Sequence, residues 1–132
     1  MDIVVDTSTL IAVIADEPEK EALIELTTGA NLIAPHSVHW EIGNAFSAML
    51  RRGRITVEQA IQAVQVYQRI PIRFVDVELE ETLKIVDALG IYAYDAYLIR
   101  CAQKYKSPLL SLDRNLVDAT KHMGVKVMEV VR

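Results

Sequence analysis

Asp6 closes the apolar run Ile3-Val4-Val5 and is followed at once by Thr7, Ser8 and Thr9. In an open α/β sheet the ligand crevice lies outside the carboxyl ends of the strands, so an acid at a strand end stands where a site forms. Asp is also among the best helix N-caps, and taken alone Asp6 fits either role. Asp113 repeats the pattern, since Leu109-Leu110-Ser111-Leu112 runs into it and a helical turn follows. Glu41 and Asp95 are anomalous in another way. Glu41 is three residues from Val38, four from Ala45 and seven from Ala48, inside the apolar stripe of a helical pattern. Asp95 has Leu98, Ile99 and Ala102 at the same spacings, which puts it on an inward face at a helix N-terminus, where negative charge is easier to hold.

Burying an ionised carboxylate without a partner is expensive, and no inward-facing Arg or Lys accompanies these two. Two acids at strand ends and two on inward helix faces suit a shared divalent cation. Oxygen-only ligands favour Mg²⁺, with Mn²⁺ able to substitute, and both ions bind phosphate oxygens. The chemistry that follows is metal-dependent phosphodiester cleavage.

The elements that must position these acids alternate in type. Short β-rich runs occur at the start of the chain (Asp2-Ile3-Val4-Val5) and at 31–34, 72–75, 109–112 and 125–130. Helical patterns fill the intervals at 19–28, 37–52, 56–69, 78–89 and 94–105, with a short one at 116–122. Several carry their own stop signals, Gly29, Gly53 and Gly90, and Thr56 with Gln59 has the spacing of a capping box. This order predicts an α/β fold, a sandwich with a mostly parallel sheet of four to five strands.

A chain of 132 residues has the size of one domain, expected over 1–132. Its hydrophobic share, 52%, exceeds the roughly 45–50% of ordinary globular chains and suggests apolar surface reserved for a partner. No apolar stretch approaches the length of a membrane span, and nothing at the N-terminus reads as an export signal. Cys101 is the only cysteine, so no internal disulfide forms, and a cytoplasmic location is expected. The net charge of −4 argues against a general polyanion binder, but two divalent cations would cancel it.

Four motifs then stand in order along essentially the whole chain: VVDTSTL at the start, HWEIGNAF at 39–46, YAYDAYLIRCA at 92–102 and LLSLDRNL at 109–116. In these the chain resembles the PIN domain ribonucleases and, within them, the VapC-type toxins of toxin–antitoxin pairs. The resemblance implies a three-layer α/β/α sandwich, homodimerisation and a small antitoxin partner. Its acidic pocket falls on Asp6, Glu41, Asp95 and Asp113, as catalytic groups and metal ligands. Ser8 matches the family's small polar position beside the metal, Asn44 and Asn115 are supporting groups, and Ser111 stands where the family often has Thr. Asp118 is either a fifth acid or a solvated helix position.

Other residues carry less chemistry. His36 and His39 have no third ligand to complete a zinc site, Cys101 reads as a buried structural thiol, and Trp40 as a packing residue. Arg51, Arg52 and Arg54, with Arg100, Lys104 and Lys106, are the candidates for phosphate contacts. A phosphoacceptor receiver domain, with Asp76 as acceptor, fits poorly because two helical patterns run back to back between the second and third strands. The reading is a Mg²⁺-dependent endoribonuclease acting as the toxin of a toxin–antitoxin module, leaving 5′-phosphate and 3′-hydroxyl ends. The alternatives are an RNA-processing nuclease of the same fold without an antitoxin, and a non-catalytic RNA- or protein-binding module.

Overall fold

The computed structural model describes residues 1–130; the last two positions of the expected domain lie outside the described residues. Five strands, β1 (Asp2–Val5), β2 (Asn31–Pro35), β3 (Ile72–Val75), β4 (Leu109–Leu110) and β5 (Val127–Met128), form one sheet in the order β3-β2-β1-β4-β5. Every pairing is parallel. Ile3, Val4, Ile33, Leu109 and Leu110 are buried, as strands covered on both faces must be.

Seven helices connect the strands: α1 (Thr7–Ile14) and α2 (Lys20–Thr27) after β1, α3 (Ser37–Arg51) and α4 (Val57–Gln68) after β2, α5 (Leu79–Leu89) and α6 (Ala93–Lys104) after β3, and α7 (Arg114–His122) after β4. Helix α1 touches α2, α3 and α4, while α5 pairs with α6, and α6 lies across β2, β1 and β4. The connections β1 to β2 to β3 run one way along the sheet and β3 to β4 runs back. Right-handed crossovers therefore place the first helical group on one face and α5 and α6 on the other. The result is the three-layer arrangement expected from the sequence.

The order also excludes a receiver-type sheet, in which the first strand would separate the second from the third; here β2 pairs directly with β3. Connections leave β1 and β4 in opposite directions, so the crevice between their carboxyl ends is the topological switch point. Asp6 and Ser111 are the first residues beyond those two strands.

Element ends follow local chemistry. The box at Thr56 forms in both directions, with the Thr56 N–H donating to Gln59 Oε1 at 2.9 Å and the Gln59 N–H to Thr56 Oγ1 at 3.2 Å. Helix α5 stops at Gly90, which takes a left-handed φ of 64°. The predicted strand over 109–112 is shorter than expected, because Ser111 turns out of the ladder to bond Asp6. That over 125–130 shrinks to two residues, since only Val127 and Met128 pair with β4. Helix α7 starts two residues earlier than its periodicity indicated because Asp113 caps it.

The exposed Thr56 cap provides a test of local stability independent of function. Thr56→Ala is expected to lower unfolding stability by about 1 kcal/mol in denaturant titration with an unchanged m-value.

Candidate active site

Four carboxylates gather at the carboxyl end of the sheet, and helix starts supply most of their support. Asp6 is the N-cap of α1 and Asp113 the N-cap of α7, while Asp95 lies in the first turn of α6. Glu41 is in the early part of α3. The helix N-terminus favours negative charge, so the fold prepares several anion-tolerant positions at one edge of the sheet. Asp6 and Asp113 are thus helix caps, and the same two residues are the strand-end acids that the sequence offers as site residues.

Asp6 is 4% exposed and its carboxylate is held from three directions. Ser8 Oγ donates to both oxygens at 2.8 and 2.9 Å, the Thr9 N–H to Oδ1 at 3.1 Å, and Ser111 Oγ to Oδ2 at 2.5 Å. Ser8 in turn accepts from the Leu112 N–H at 3.0 Å, and Ser111 from the Asp113 N–H at 3.0 Å. Two serines thus tie the start of α1 to the turn between β4 and α7, with Asp6 as the knot. Asp113 Oδ1 is occupied by the Asn115 and Leu116 N–H groups, and the residue is exposed.

Glu41 is half-buried. Thr7 Oγ1 donates to its Oε2 at 2.9 Å, while Oε1 is buried with no hydrogen-bond partner. An unpaired buried carboxylate oxygen is costly and calls for a ligand or water.

Electrostatics show that the four acids share one field. Burial pushes the Asp6 carboxyl above its ordinary range, against the pull of its Ser111, Thr9 and Ser8 bonds. Glu41 is raised by burial, with the charges of Asp6 and Asp95 adding to it. Asp95 is raised by burial and then by the charge of Asp113. Among the described residues none of the four is ion-paired with a Lys, Arg or His.

The donor chemistry therefore fits a hard divalent cation: carboxylate oxygens, an orphaned Glu41 Oε1 and no competing base. The acids do not close into a ready cage, since among the described residues no three acidic, His or Cys side chains form a metal-holding group. Mg²⁺ is commonly held by one or two carboxylates and keeps several waters, so a complete protein cage is not required of the residues present.

The sequence expectations fare unevenly beyond the acids. Ser8 and Ser111 contact Asp6 directly, but Asn44 and Asn115 are exposed and their side chains bond none of the acids. Asp118 is a solvated position on α7. Trp40 is not a packing residue: it is 71% exposed. The outward face of α3 near its start carries it, next to the inward Glu41. Arg100 is withdrawn from phosphate binding by Glu78, which it grips at 3.1 and 3.3 Å, and Lys104 donates to the Asp76 carbonyl at 3.1 Å. Cys101 is buried and its thiol is pushed up to about 12 by that burial. His36 pairs with Asp76 and His39 with the Tyr67 hydroxyl, so they share no zinc. Thr7 is the functional residue that periodicity missed; a hydroxyl directly after the first acid, in the opening turn of a helix, was its only signal.

The model of a protein family described as PIN domain matches residues 3–121. No curated protein matches the chain significantly. Similar solved structures include PAE2754 from Pyrobaculum aerophilum, 25% identical with a TM-score of 0.72 over 92% of this chain and 81% of that one. The Mycobacterium tuberculosis VapC20, a sarcin-ricin loop cleaving toxin, is 17% identical with a TM-score of 0.62 over 89% of this chain and 94% of that one. VapBC2 from Rickettsia felis, bound to a DNA fragment from its promoter, gives 12% identity and a TM-score of 0.71 over 99% and 100%.

A pH dependence follows from the raised carboxyls. An acid whose folded-state pKa lies above its unfolded value binds more protons when folded, so its contribution to stability falls as pH rises past the unfolded value. For Asp6 and Asp95 that value is 3.8 and for Glu41 4.5. In metal-free buffer these groups should make the protein lose stability over the interval in which pH rises from about 4. Asp6→Asn keeps the cap and removes the charge, so its unfolding midpoint should decline less over that interval than the wild type's.

Proposed function

The chain belongs to the PIN domain family, and on that footing we propose that it is a Mg²⁺-dependent endoribonuclease of the VapC toxin type. The observation that carries this reading is the uncompensated acidic crevice, above all the buried Glu41 oxygen with no partner. Asp6, Asp95 and Asp113 would hold one or two ions, with Mn²⁺ able to substitute, and Glu41 would ligate through water or orient the attacking water. A bound divalent cation supplies a lower pKa for water and offsets the charge that develops on the phosphoryl oxygens.

The chain's own residues do the positioning. Ser8, Ser111 and the Thr9 N–H fix the plane of the Asp6 carboxylate. Thr7 anchors one oxygen of Glu41 and leaves Oε1 to accept a proton from water, a task helped by the raised pKa. Because the nucleophile is water and not the ribose 2′-hydroxyl, the products carry 5′-phosphate and 3′-hydroxyl ends.

RNA as substrate is supported by the fold shared with a toxin that cleaves the sarcin-ricin loop. The proposed partners are a second copy of the chain and a small antitoxin, the latter supported by the fold shared with a VapBC2 protein. Apolar surface is available for them: a cavity of ≈ 260 Å³ is lined by Leu10, Val13, Leu23 and Ile24 among others. On α4, Val57 and Ile61 are more than half exposed. Such partners would account for the apolar surplus. Among the described residues no helix is long and apolar enough to cross a membrane; the cytoplasm is the location proposed.

Three measurements test this reading. Glu41→Gln should fold normally and lose RNA cleavage by roughly a hundredfold or more, the usual worth of a general base, whereas Glu58→Gln on the exposed side of α4 changes little. Retained cleavage in the Glu41 variant would reduce that residue to a structural role. Mg²⁺ or Mn²⁺ should raise the unfolding midpoint of the wild type, and the gain should shrink in the Asp6→Asn, Asp95→Asn double variant. A peptide from the C-terminal tail of the cognate antitoxin should inhibit cleavage, through an Arg or Lys that contacts Asp6 or Asp95. Absence of any small antitoxin gene beside this one would favour the RNA-processing alternative.

A further inference from the structure

An acid-lined crevice repels the phosphates of the RNA it is proposed to cut, and Arg100 and Lys104 are engaged by Glu78 and the Asp76 carbonyl. Arg51, Arg52, Arg54 and Lys106 remain as exposed cations, and contacts that carry no charge would add to theirs. Three large aromatic side chains stand in solvent on the helix starts that bear the acids. Trp40, 71% exposed, precedes Glu41, while Tyr92 and Tyr94, 87% and 52% exposed, precede Asp95. Tyr92 is the N-cap of α6 and Tyr94 is steadied edge-on by Tyr97, with ring centroids 6.1 Å apart. Trp40 is steadied in the same way by His39, at 4.8 Å. The start of α3 follows β2 and the start of α6 carries an acid that senses Asp113, so all three rings lie at the edge of the sheet where the carboxylates gather.

The geometry points to a single-stranded RNA track in which Trp40 on one rim of the crevice, and Tyr92 with Tyr94 on the other, stack the bases flanking the phosphate presented to the acids. This inference rests on the nuclease reading and assigns to Trp40, Tyr92 and Tyr94 the task of holding the strand. Base faces are free to stack only where the strand is not paired, and aromatic rings take them with little regard for sequence.

A second copy of the chain is the competing occupant, and the surface around Trp40 disfavours it. The positions that follow Trp40 along its helix face are Gly43, Asn44 and Ser47, all exposed, so the ring does not head an apolar stripe. Protein interfaces bury a more continuous apolar centre. The more apolar exposed pairs, Val57 with Ile61 and Leu79 with Leu83, lie on α4 and α5 instead.

Trp40 is the chain's single tryptophan, so its fluorescence reports on this rim alone. The Glu41→Gln protein, titrated with a short mixed-sequence oligoribonucleotide, should show quenching by the single strand and little by the same sequence as a duplex. In the cleavage-competent protein, Trp40→Ala should raise KM by about fivefold to a hundredfold with kcat nearly unchanged, the range expected for losing one stacked base. Trp40→Phe should recover most of the loss, and Tyr92→Ala with Tyr94→Ala should act in the same direction. A wild-type KM in Trp40→Ala would overturn the track while leaving the nuclease standing. Emission that shifts with protein concentration in the absence of RNA, together with dissociation of a dimer by Trp40→Ala, would overturn it in favour of a second copy. If the wild type cleaves no RNA the nuclease reading fails by itself, and the quenching titration alone then decides whether these rings bind single strands.

Discussion

Four carboxylates brought to one crevice, with none ion-paired to a basic side chain among the described residues, form the constraint around which the rest of the molecule is arranged. Burial raises the carboxyls of Asp6, Glu41 and Asp95, and neighbouring negative charge adds to the effect on Glu41 and Asp95. The fold tolerates them by local means. Helix N-termini face Asp6, Asp95 and Asp113, and hydroxyls from Thr7, Ser8 and Ser111 bond Glu41 and Asp6. These devices hold the acids in place without neutralising them. The charge is left uncompensated, and the unpartnered Glu41 Oε1 is its plainest sign.

Sheet order makes the convergence possible. With β1 between β2 and β4, the residue after β1 meets the turn after β4, and the two serines exchange bonds across that seam. Helix α6 reaches the same edge from the opposite layer, carrying Asp95, while Glu41 arrives on α3 after β2. The core of Ile3, Val4, Ile33, Ile99, Leu109 and Leu110 keeps these four approaches in register. Charge collects at one edge of the sheet, and the apolar centre beneath it supplies the packing that offsets the cost of holding it there.

Much of this was legible in the chain because the signals were local. Apolar runs ending on an acid marked β1 and β4 together with Asp6 and Asp113, and helical spacing alone turned Glu41 and Asp95 inward. Features that depend on two distant segments were less visible. Thr7 became meaningful only once α3 packed beside α1. Arg100 looked like a free cation until the start of α5 placed Glu78 within its reach. Trp40 misled for a plainer reason: tryptophan is large and usually covered, and nothing in its spacing distinguished an inward ring from an outward one on the face adjoining Glu41. The strand of 109–112 was cut short by a side chain's errand to Asp6, which no propensity encodes.

The central claim, that the crevice is an uncompensated anionic site completed by a divalent cation, is tested most directly by calorimetric titration of Mn²⁺ into the metal-free protein. The titration is run at mildly acidic pH in two buffers of different ionisation enthalpy, so that protons released on binding are counted. Carboxyls raised by burial and by one another must give up protons when a cation arrives. The account predicts saturable binding with net proton release, and loss of both in Asp6→Asn. Absence of binding, or binding that releases no protons and persists unchanged in the variant, would contradict it.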